Sequence, residues 1–553
     1  MGPAGEVAAA PPFLAWAPIR SAVRLLGGAF TFSDPAILGE VPISLEVELK
    51  LTVDPADLPK LREALGVLAP GSATTARTLV STYFETPDRK LRRAGSILRV
   101  REQDGHFIQT LKTEDPEGAN LLARGEWEDP VADNWPDPQA AQSGPHLPDG
   151  AADGLRALFV TEVDRLTVDV EPLPGTLIEA AIDRGQVRAV DNGRNWTLSE
   201  LELELKEGDP AALYDVALAL LETVPLRVDL RSKSERGYRL ADGDDAEPAA
   251  VSAGPVALGP DMTVEEALQR VGRACLGHLL RNEPAALAGG VEGVHQMRVA
   301  MRRLGSMLSA VKKLLPEAER RWVADEIRVL TEALGPARNL DVFATELLPP
   351  ARSEAPDQPG WDELAAAAAR ARDAAHRRVA DEIRSPRHAA TILRLLRWFE
   401  GRGWQGRAGD AEGALGVAIG AVAPGVLDRH RRSMRKRSRH FRRLPARGRH
   451  RARIAVKKLR YAIELLDSLY DKRDARPFVN RLKRVQDELG RANDVRVAYG
   501  LVIELGRSET RAEPFADAAA QLLGRHERAL AKSEKKLRRQ LRELNRARPF
   551  WHG

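Results

Sequence analysis

The sequence predicts an α+β protein, with a strand-rich amino-terminal domain followed by an all-α domain. Three observations predict it. Apolar residues recur with period two from Val41 to about Ala241, and with period 3.6 beyond Thr263. Formal charge changes sign near the same boundary: residues 1–250 hold 25 Lys and Arg against 42 Asp and Glu, and residues 251–553 hold 59 against 37. The basic half also repeats itself at an offset of about 155 residues, which points to two similar helical bundles related by a pseudo-twofold.

Residues 1–40 read as a leader, expected to be poorly ordered. Pro12–Phe32 is fairly apolar, but Arg20 and Arg24 interrupt it, and it lacks the basic start and clean apolar run of a signal peptide. No run reaches the roughly 18 apolar residues of a membrane span. Cys275 is the only cysteine, which excludes an intrachain disulfide and a zinc site built from several cysteines, and suits a reducing cytoplasm.

Residues 41–242 form the first predicted domain. Ile43, Leu45, Val47, Leu49 and Leu51 alternate with Ser44, Glu46, Glu48, Lys50 and Thr52. Leu201, Leu203 and Leu205 alternate with Glu200, Glu202, Glu204 and Lys206. Such strands carry one apolar and one charged face. Helices are expected near Leu58–Leu68 and Ala211–Leu221, and Asp129–Gly150 reads as a long Pro/Asp/Gly-rich loop. On an open sheet the charged faces are simply solvated. If the sheet closes, they line a tunnel. Interior charges of both signs then need a ligand that satisfies both. Carboxylates suit Mg²⁺ or Mn²⁺, and Arg and Lys suit phosphate oxygens, so a metal–polyphosphate complex answers both demands.

Six motifs in order strengthen this: Glu46–Lys50, Leu98-Arg99-Val100-Arg101, Thr110-Leu111-Lys112, Asp183-Arg184-Gly185, Glu202-Leu203-Glu204 and Ser232–Tyr238. Together they resemble the CYTH, or triphosphate tunnel metalloenzyme, family over about residues 41–241. The resemblance implies an eight-stranded antiparallel tunnel barrel and hydrolysis of triphosphates. It implies Glu46, Glu48, Glu202 and Glu204 as metal ligands, with Glu46, Glu48, Asp183 and Lys233 as catalytic residues. It implies Lys50, Arg99, Arg101, Lys112 and Arg165 as the phosphate grip, with Lys233 also touching the phosphate chain. Arg124 and Glu126 belong either to this set or to a rim salt bridge.

Residues 243–261 read as a linker. Thr263 with Glu266 then makes a capping box that opens the helical domain, residues 262–553. In the repeat, His295-Gln296-Met297-Arg298-Val299-Ala300-Met301-Arg302-Arg303-Leu304 matches His450-Arg451-Ala452-Arg453-Ile454-Ala455-Val456-Lys457-Lys458-Leu459, and Leu334-Gly335-Pro336-Ala337 matches Leu489-Gly490-Arg491-Ala492. Helical spacing puts His295, Arg298 and Arg302 on one stripe, with Arg303 beside it, opposite Met297, Met301, Leu304 and Leu308. His450, Arg453, Lys457 and Arg460, with Lys458, repeat it opposite Val456, Leu459, Ile463 and Leu466. A lone histidine opening such a stripe is ordinary helix-start chemistry, and its recurrence beside matched cations argues for a shared job.

This half resembles the CHAD, or conserved-histidine α-helical, domain over about residues 262–545. That implies two four-helix bundles around a basic channel that binds inorganic polyphosphate. The turns depart from symmetry, which leaves the pairing of Asp341 with Asp494 open.

The expected function is therefore metal-dependent hydrolysis of tripolyphosphate and short polyphosphate in the tunnel, with the helical domain binding polyphosphate. The alternatives are a polyphosphate-binding protein without turnover and a class IV-type adenylyl cyclase acting on ATP. Nucleic acid is disfavoured, because aromatic residues are only 5% of the chain and few are available to stack bases. The expected location is the cytoplasm, in association with polyphosphate granules.

Overall fold

The computed structural model describes residues 44–114, 123–243, 248–405, 415–507 and 512–552. The expected leader lies outside the described residues. Strands β1 (Ser44–Val53), β2 (Thr74–Glu85), β3 (Ser96–Gln103), β4 (His106–Glu114), β5 (Ala123–Val131), β6 (Arg156–Leu173), β7 (Thr176–Ala189) and β8 (Asn195–Glu207) pair antiparallel in the order β5-β4-β3-β2-β6-β7-β8-β1. The first residues of β1 pair back onto β5, with Ser44 opposite Glu126, and this closes an eight-stranded barrel. A ninth strand, β9 (Leu226–Val228), adds to the outside of β1. The expected count of eight is thus the barrel itself.

Closure follows from local chemistry. The β3–β4 hairpin turns on Asp104 and Gly105, both at positive φ (51° and 77°), the Asp-Gly pair that two-residue hairpins favour. The apolar faces of β1 and β8 turn outward: Leu49, Leu51, Leu201 and Leu203 are fully buried. Helices α1 (Leu58–Leu68) and α3 (Ala211–Leu221) bury residues in that same core, and both begin and end where the sequence predicts. The short α2 (Lys90–Arg93) follows β2. Buried Glu85 accepts hydrogen bonds from the backbone N–H groups of Leu91 (3.1 Å) and Arg92 (2.9 Å).

Helix α4 (Lys233–Ala241) returns to the barrel. Ser232 caps it by accepting from the Glu235 N–H at 3.1 Å. Beyond it, residues 248–261 of the expected linker dock on the helical half, where Val251 N–H donates to Asn282 and Leu258 N–H to Ser468, both at 2.9 Å.

The helical half comprises α5 (Val264–Leu287), α6 (Val291–Val311), α7 (Glu317–Ala333), α8 (Gly335–Val342), α9 (Leu348–Glu354), α10 (Trp361–Arg384), α11 (Pro386–Glu400), α12 (Ile419–Ser438), α13 (Ala446–Leu466), α14 (Lys472–Gly506) and α15 (Ala512–Arg546). The capping box of Thr263 and Glu266 opens α5. The repeat is carried into the elements, since α13 begins and ends 155 residues after α6. Pro336 breaks the first copy into α7 and α8, because it lacks an N–H and clashes with the preceding turn. Its counterpart is Arg491, and α14 runs through unbroken. The predicted apolar stripes are core: Met297, Met301, Leu304, Val456, Leu459 and Ile463 are all buried.

The two halves meet where α3 packs on α11. Arg397 of α11 donates to Asp215 of α3, and Tyr214 of α3 is fully buried beside Glu400, which Arg273 holds at 2.5 Å. A Cβ on Gly401 would lie 2.8 Å from that of Ala211, so the joint is close.

Gly185 of β7 tests the barrel packing. A Cβ there would lie 2.0 Å from the carbonyl oxygen of Glu162 and 2.9 Å from the Cα of Val163, both backbone atoms that cannot step aside. Gly185→Ala is expected to destabilise by about 1–3 kcal/mol in urea unfolding. Gly66→Ala, in α1 with nothing within 4 Å, is expected to be neutral or stabilising.

Candidate active site and candidate anion channel

Period two turns charged residues of seven of the eight barrel strands inward, while β2 contributes Leu79, Ser81 and Tyr83. They line a cavity of about 290 Å³. The barrel order sorts them by sign. β3 and β4 bring Arg99, Arg101 and Lys112, while β7 and β8, half-way round the barrel, bring Glu179, Asp183, Glu202 and Glu204. β1 lies beside β8, with Glu48 opposite Glu204 and Lys50 opposite Glu202.

The deepest part is an ion-pair network. Lys233 Nζ stands 2.7 Å from Asp183, 2.7 Å from Glu200 and 2.8 Å from Glu202. Arg165 donates to both oxygens of Asp183, at 2.7 and 2.6 Å, and also to Glu202. Lys50 reaches Glu202 at 2.9 Å and also pairs with Glu48. Arg236, one turn along α4 from Lys233, donates to Glu200 at 2.8 Å and lies 3.2 Å from Asp229. Burial alone would push the Glu202 carboxyl up. Lys233, Lys50 and Arg165 outweigh it and hold the group well below the usual carboxylate range. Burial likewise pushes the ammonium groups of Lys233 and Lys50 down, and the surrounding carboxylates more than reverse it.

Asp183, Glu200 and Glu202 place oxygens within 4.8 Å of one another, close enough to share a cation. The Lys233 ammonium sits among them, so this cluster is already charge-balanced. Glu48 and Glu204 stand opposite each other in the β1–β8 register, at 11% and 27% exposure. These oxygen donors fit a hard divalent ion, and no cysteine or histidine lines the cavity among the described residues. Glu46 lies in β1 in register with Arg124 of β5, and both side chains fall outside the described residues.

The basic sector is under strain of like charge. The guanidinium of Arg99, then burial, then Arg165 push Arg101 down to about 10. Glu126 lies 3.2 Å from Lys112 and 3.6 Å from Arg99, so it pairs inside the tunnel rather than at the rim. Sequence reasoning did not single out Glu200 or Arg236. Glu200 carries the same period-two signal as Glu202, and Arg236 lies within the Ser232–Tyr238 motif.

In the helical half, α6 packs on α13, and the repeat gathers four cations. Arg298 and Arg453 are counterparts, as are Arg302 and Lys457. The Arg302 guanidinium lies over the Tyr461 ring, 5.6 Å from its centre. Burial, then Arg302 and Arg338, push Arg298 down to about 10. Burial, then Arg453 and Arg302, push Lys457 down to about 7. The buried Nε atoms of Arg298, Arg302 and Arg453 have no hydrogen-bond partner. His295 lies against this cluster beside Arg338, and His450 beside Arg496. Arg303 lies near Cys275, His278 and Asp467, Lys458 lies near His430, and Arg460 pairs with Glu464 at 2.6 Å. Asp341 and Asp494 are not counterparts. Asp341 is buried against Arg372 and His376, whereas Asp494 lies near Arg453 and Lys457.

A closed barrel with a charged interior, joined to a duplicated basic helical domain, defines the class. The chain carries a CYTH domain over residues 44–238, followed by a CHAD domain over residues 270–503. An inorganic triphosphatase of Haemophilus influenzae is 30% identical over 206 residues, which is 35% of this chain and 54% of that protein. An uncharacterized protein of Mycobacterium tuberculosis is 31% identical over 160 residues, 28% of this chain and 29% of that one. The chain thus spans about half the length, or less, of these curated relatives. Among solved structures, the CHAD domain of the plant Ricinus communis shares 30% identity at a TM-score of 0.47, covering 54% of this chain and 98% of that one. PptA of Streptomyces chartreusis shares 16% at a TM-score of 0.38, covering 51% and 100%.

Lys233→Met tests the deep network. It leaves three buried carboxylates short of a cation and is expected to cost about 3–5 kcal/mol in urea unfolding. Millimolar Mn²⁺ should then raise the melting temperature of the variant more than that of the wild type, because the vacated cluster can take the ion. Unchanged stability would mean that these carboxyls are not ionised in the folded protein.

Proposed function

We propose that the barrel is a metal-dependent inorganic triphosphatase acting on tripolyphosphate and short polyphosphate, and that the helical domain binds long inorganic polyphosphate. The opposition of an acidic and a basic sector inside one closed barrel carries the reading. A ligand that satisfies both must present anionic oxygens to one side and a cation to the other. The name of the Haemophilus influenzae relative supports the same substrate class.

In this reading Glu46, Glu48, Glu202 and Glu204 hold Mg²⁺ or Mn²⁺. The metal, when bound, polarises the terminal phosphoryl group and supplies an activated water. Arg99, Arg101 and Lys112 bind phosphate oxygens and neutralise the charge that builds on them. Lys50, Arg165 and Lys233 extend that grip inward. Asp183 orients Arg165 and Lys233, both of which it already binds. Among the described residues Tyr83 is the one aromatic on the cavity wall, and its ring stacks on Phe159 at 4.4 Å rather than offering a free face to adenine. ATP is therefore expected to be a poor substrate.

On the helical side, unpaired guanidinium donors and like-charged neighbours support an anion as the missing partner. A polyphosphate chain brings about one charge per residue and can engage several cations at once. Targeting by this domain raises the local concentration of substrate at the barrel.

Purified protein is expected to release phosphate from tripolyphosphate with Mg²⁺ or Mn²⁺, to stop in EDTA, and to make no cyclic AMP from ATP. Glu48→Gln and Glu204→Gln should each slow turnover by well over tenfold, on the scale of a lost metal contribution of several kcal/mol. Full activity in EDTA would end the proposal.

Binding of long polyphosphate should weaken steeply with salt. It should also take up protons. Lys457 in the free protein titrates near 7, against an ordinary 10.5, and a bound anion raises it again. Between about pH 7 and 10 the complex then holds more protons than the free protein, and affinity falls as pH rises through that window. Calorimetry in buffers of different ionisation enthalpy reads this uptake, and Lys457→Met should remove it. Arg302→Glu with Lys457→Glu should weaken binding far more than reversal of the exposed Arg370 and Arg377. Equal losses would reduce the channel to net charge.

A further inference from the structure

The two bundles differ where the repeat leads one to expect likeness. In the first, Asp341 of α8 is buried, 3.0 Å from Arg372 Nε and 2.9 Å from His376 Nε2. At 155 residues on, Arg496 stands in place of Asp341, so the carboxylate that holds Arg372 and His376 is replaced by a cation. A cleft of about 430 Å³ opens beside α13, α14 and α15. The matching hollow of the first bundle is about 10 Å³. Ala333 and Leu334 line that hollow, and their counterparts Glu488 and Leu489 line the cleft. His388 of α11 also lines the first hollow, held 2.7 Å from Glu283. In the second copy the chain has no such returning helix among the described residues, because α15 continues to Arg546.

The lining has two parts. Leu489, Val495, Leu530 and Leu537 form an apolar floor. His450, Arg453 and Arg496 stand together at one side. The acidic lining residues already have partners. Glu488 is met by Arg491 at 2.6 Å and Lys536 at 2.9 Å, Glu534 by Arg449 at 3.5 Å, and Glu527 accepts from the Tyr499 hydroxyl. The Arg453 Nε is buried without a partner. An apolar floor with a few convergent polar groups, at a volume between roughly 300 and 1,000 Å³, is the usual form of a small-molecule site. The lining holds three arginines against three glutamates, but Arg491 and Lys536 meet Glu488 from outside it, which leaves the Arg453 and Arg496 side positive and suited to an anionic head group. An inorganic phosphate chain has no apolar surface to set against the floor.

We propose that the cleft in the second bundle is a binding site for a small organic anion, with a flat apolar body and one phosphate or carboxylate head. The ligand lays its body on Leu489, Val495 and Leu537 and its head against Arg453, Arg496 and His450. The site is separate from the tunnel and stands whether or not the barrel hydrolyses triphosphate, but it shares His450 and Arg453 with the stripe proposed to hold polyphosphate, so the two ligands compete there.

The full chain, with the tunnel saturated by tripolyphosphate, is titrated with 1-naphthyl phosphate, with 1-naphthol and with inorganic phosphate, and binding is read by naphthyl fluorescence or by calorimetry. The expected result is binding of 1-naphthyl phosphate at least about tenfold tighter than either fragment, since body and head each contribute. Ala531→Phe, at an exposed helical position, should fill the cleft and weaken that binding about tenfold or more, while leaving tripolyphosphate binding to the barrel unchanged. Arg496→Gln should erase the preference for 1-naphthyl phosphate over 1-naphthol. Wild-type affinity in Ala531→Phe, or inorganic phosphate binding as tightly as the aryl ester, would overturn the proposal.

Discussion

Everything in the barrel depends on the pairing of β1 with β5. That pairing closes the sheet, and closure turns one face of every strand away from bulk water. Period two then decides what is enclosed. Leucines of β1 and β8 go outward under α1 and α3, and their charged neighbours go inward. A charge in such a place is costly unless it is met. The fold answers with Lys233, Arg165, Lys50 and Arg236, each within hydrogen-bond reach of one or more of Asp183, Glu200 and Glu202. Helix α4 belongs to this answer, because its capped first turn delivers Lys233 and its second delivers Arg236. The basic sector on β3 and β4 is less fully balanced. Arg101 is depressed by Arg99, and that residual demand for an anion gives the tunnel its proposed chemistry.

The helical half meets the opposite problem. Duplication brings two copies of one basic stripe against each other, so Arg298, Arg302, Arg453 and Lys457 face charges of their own sign. Burial sharpens the repulsion. The core beneath them is apolar and well filled, which lets the fold tolerate it. Pro336 against Arg491 sets whether the third helix breaks, and Asp341 against Arg496 changes the sign of the charge at one position of the bundle. Helix α11 has a double role, since it plugs the first bundle and also carries Arg397 to Asp215 of the barrel.

Much of this was legible in the sequence because it rests on short-range periodicity. The edges of α1 and α3, the inward set of β1 and β8 and the 155-residue repeat all follow from spacing. Glu126 could be a tunnel or a rim residue from sequence, and only the register of β4 against β5 brings it to Lys112. Glu200 shares the β8 alternation with Glu202, but its role depends on Lys233 arriving from a helix some thirty residues later. Asp341 and Asp494 look alike in one dimension and fail to pair in three. The ninth strand is three residues long and carries no period of its own. The cleft needed the structure outright, since an aspartate-to-arginine difference between repeats means nothing until its neighbours are known.

The central claim is that one ligand satisfies both sectors of the tunnel at once. The most direct measurement is a crystal structure with tripolyphosphate and Mn²⁺, read with anomalous scattering from the metal. The account predicts phosphates against Arg99, Arg101 and Lys112, and an anomalous peak at the Glu48 and Glu204 wall. Phosphates bound outside the barrel, or a manganese peak with no contact to those glutamates, would contradict it.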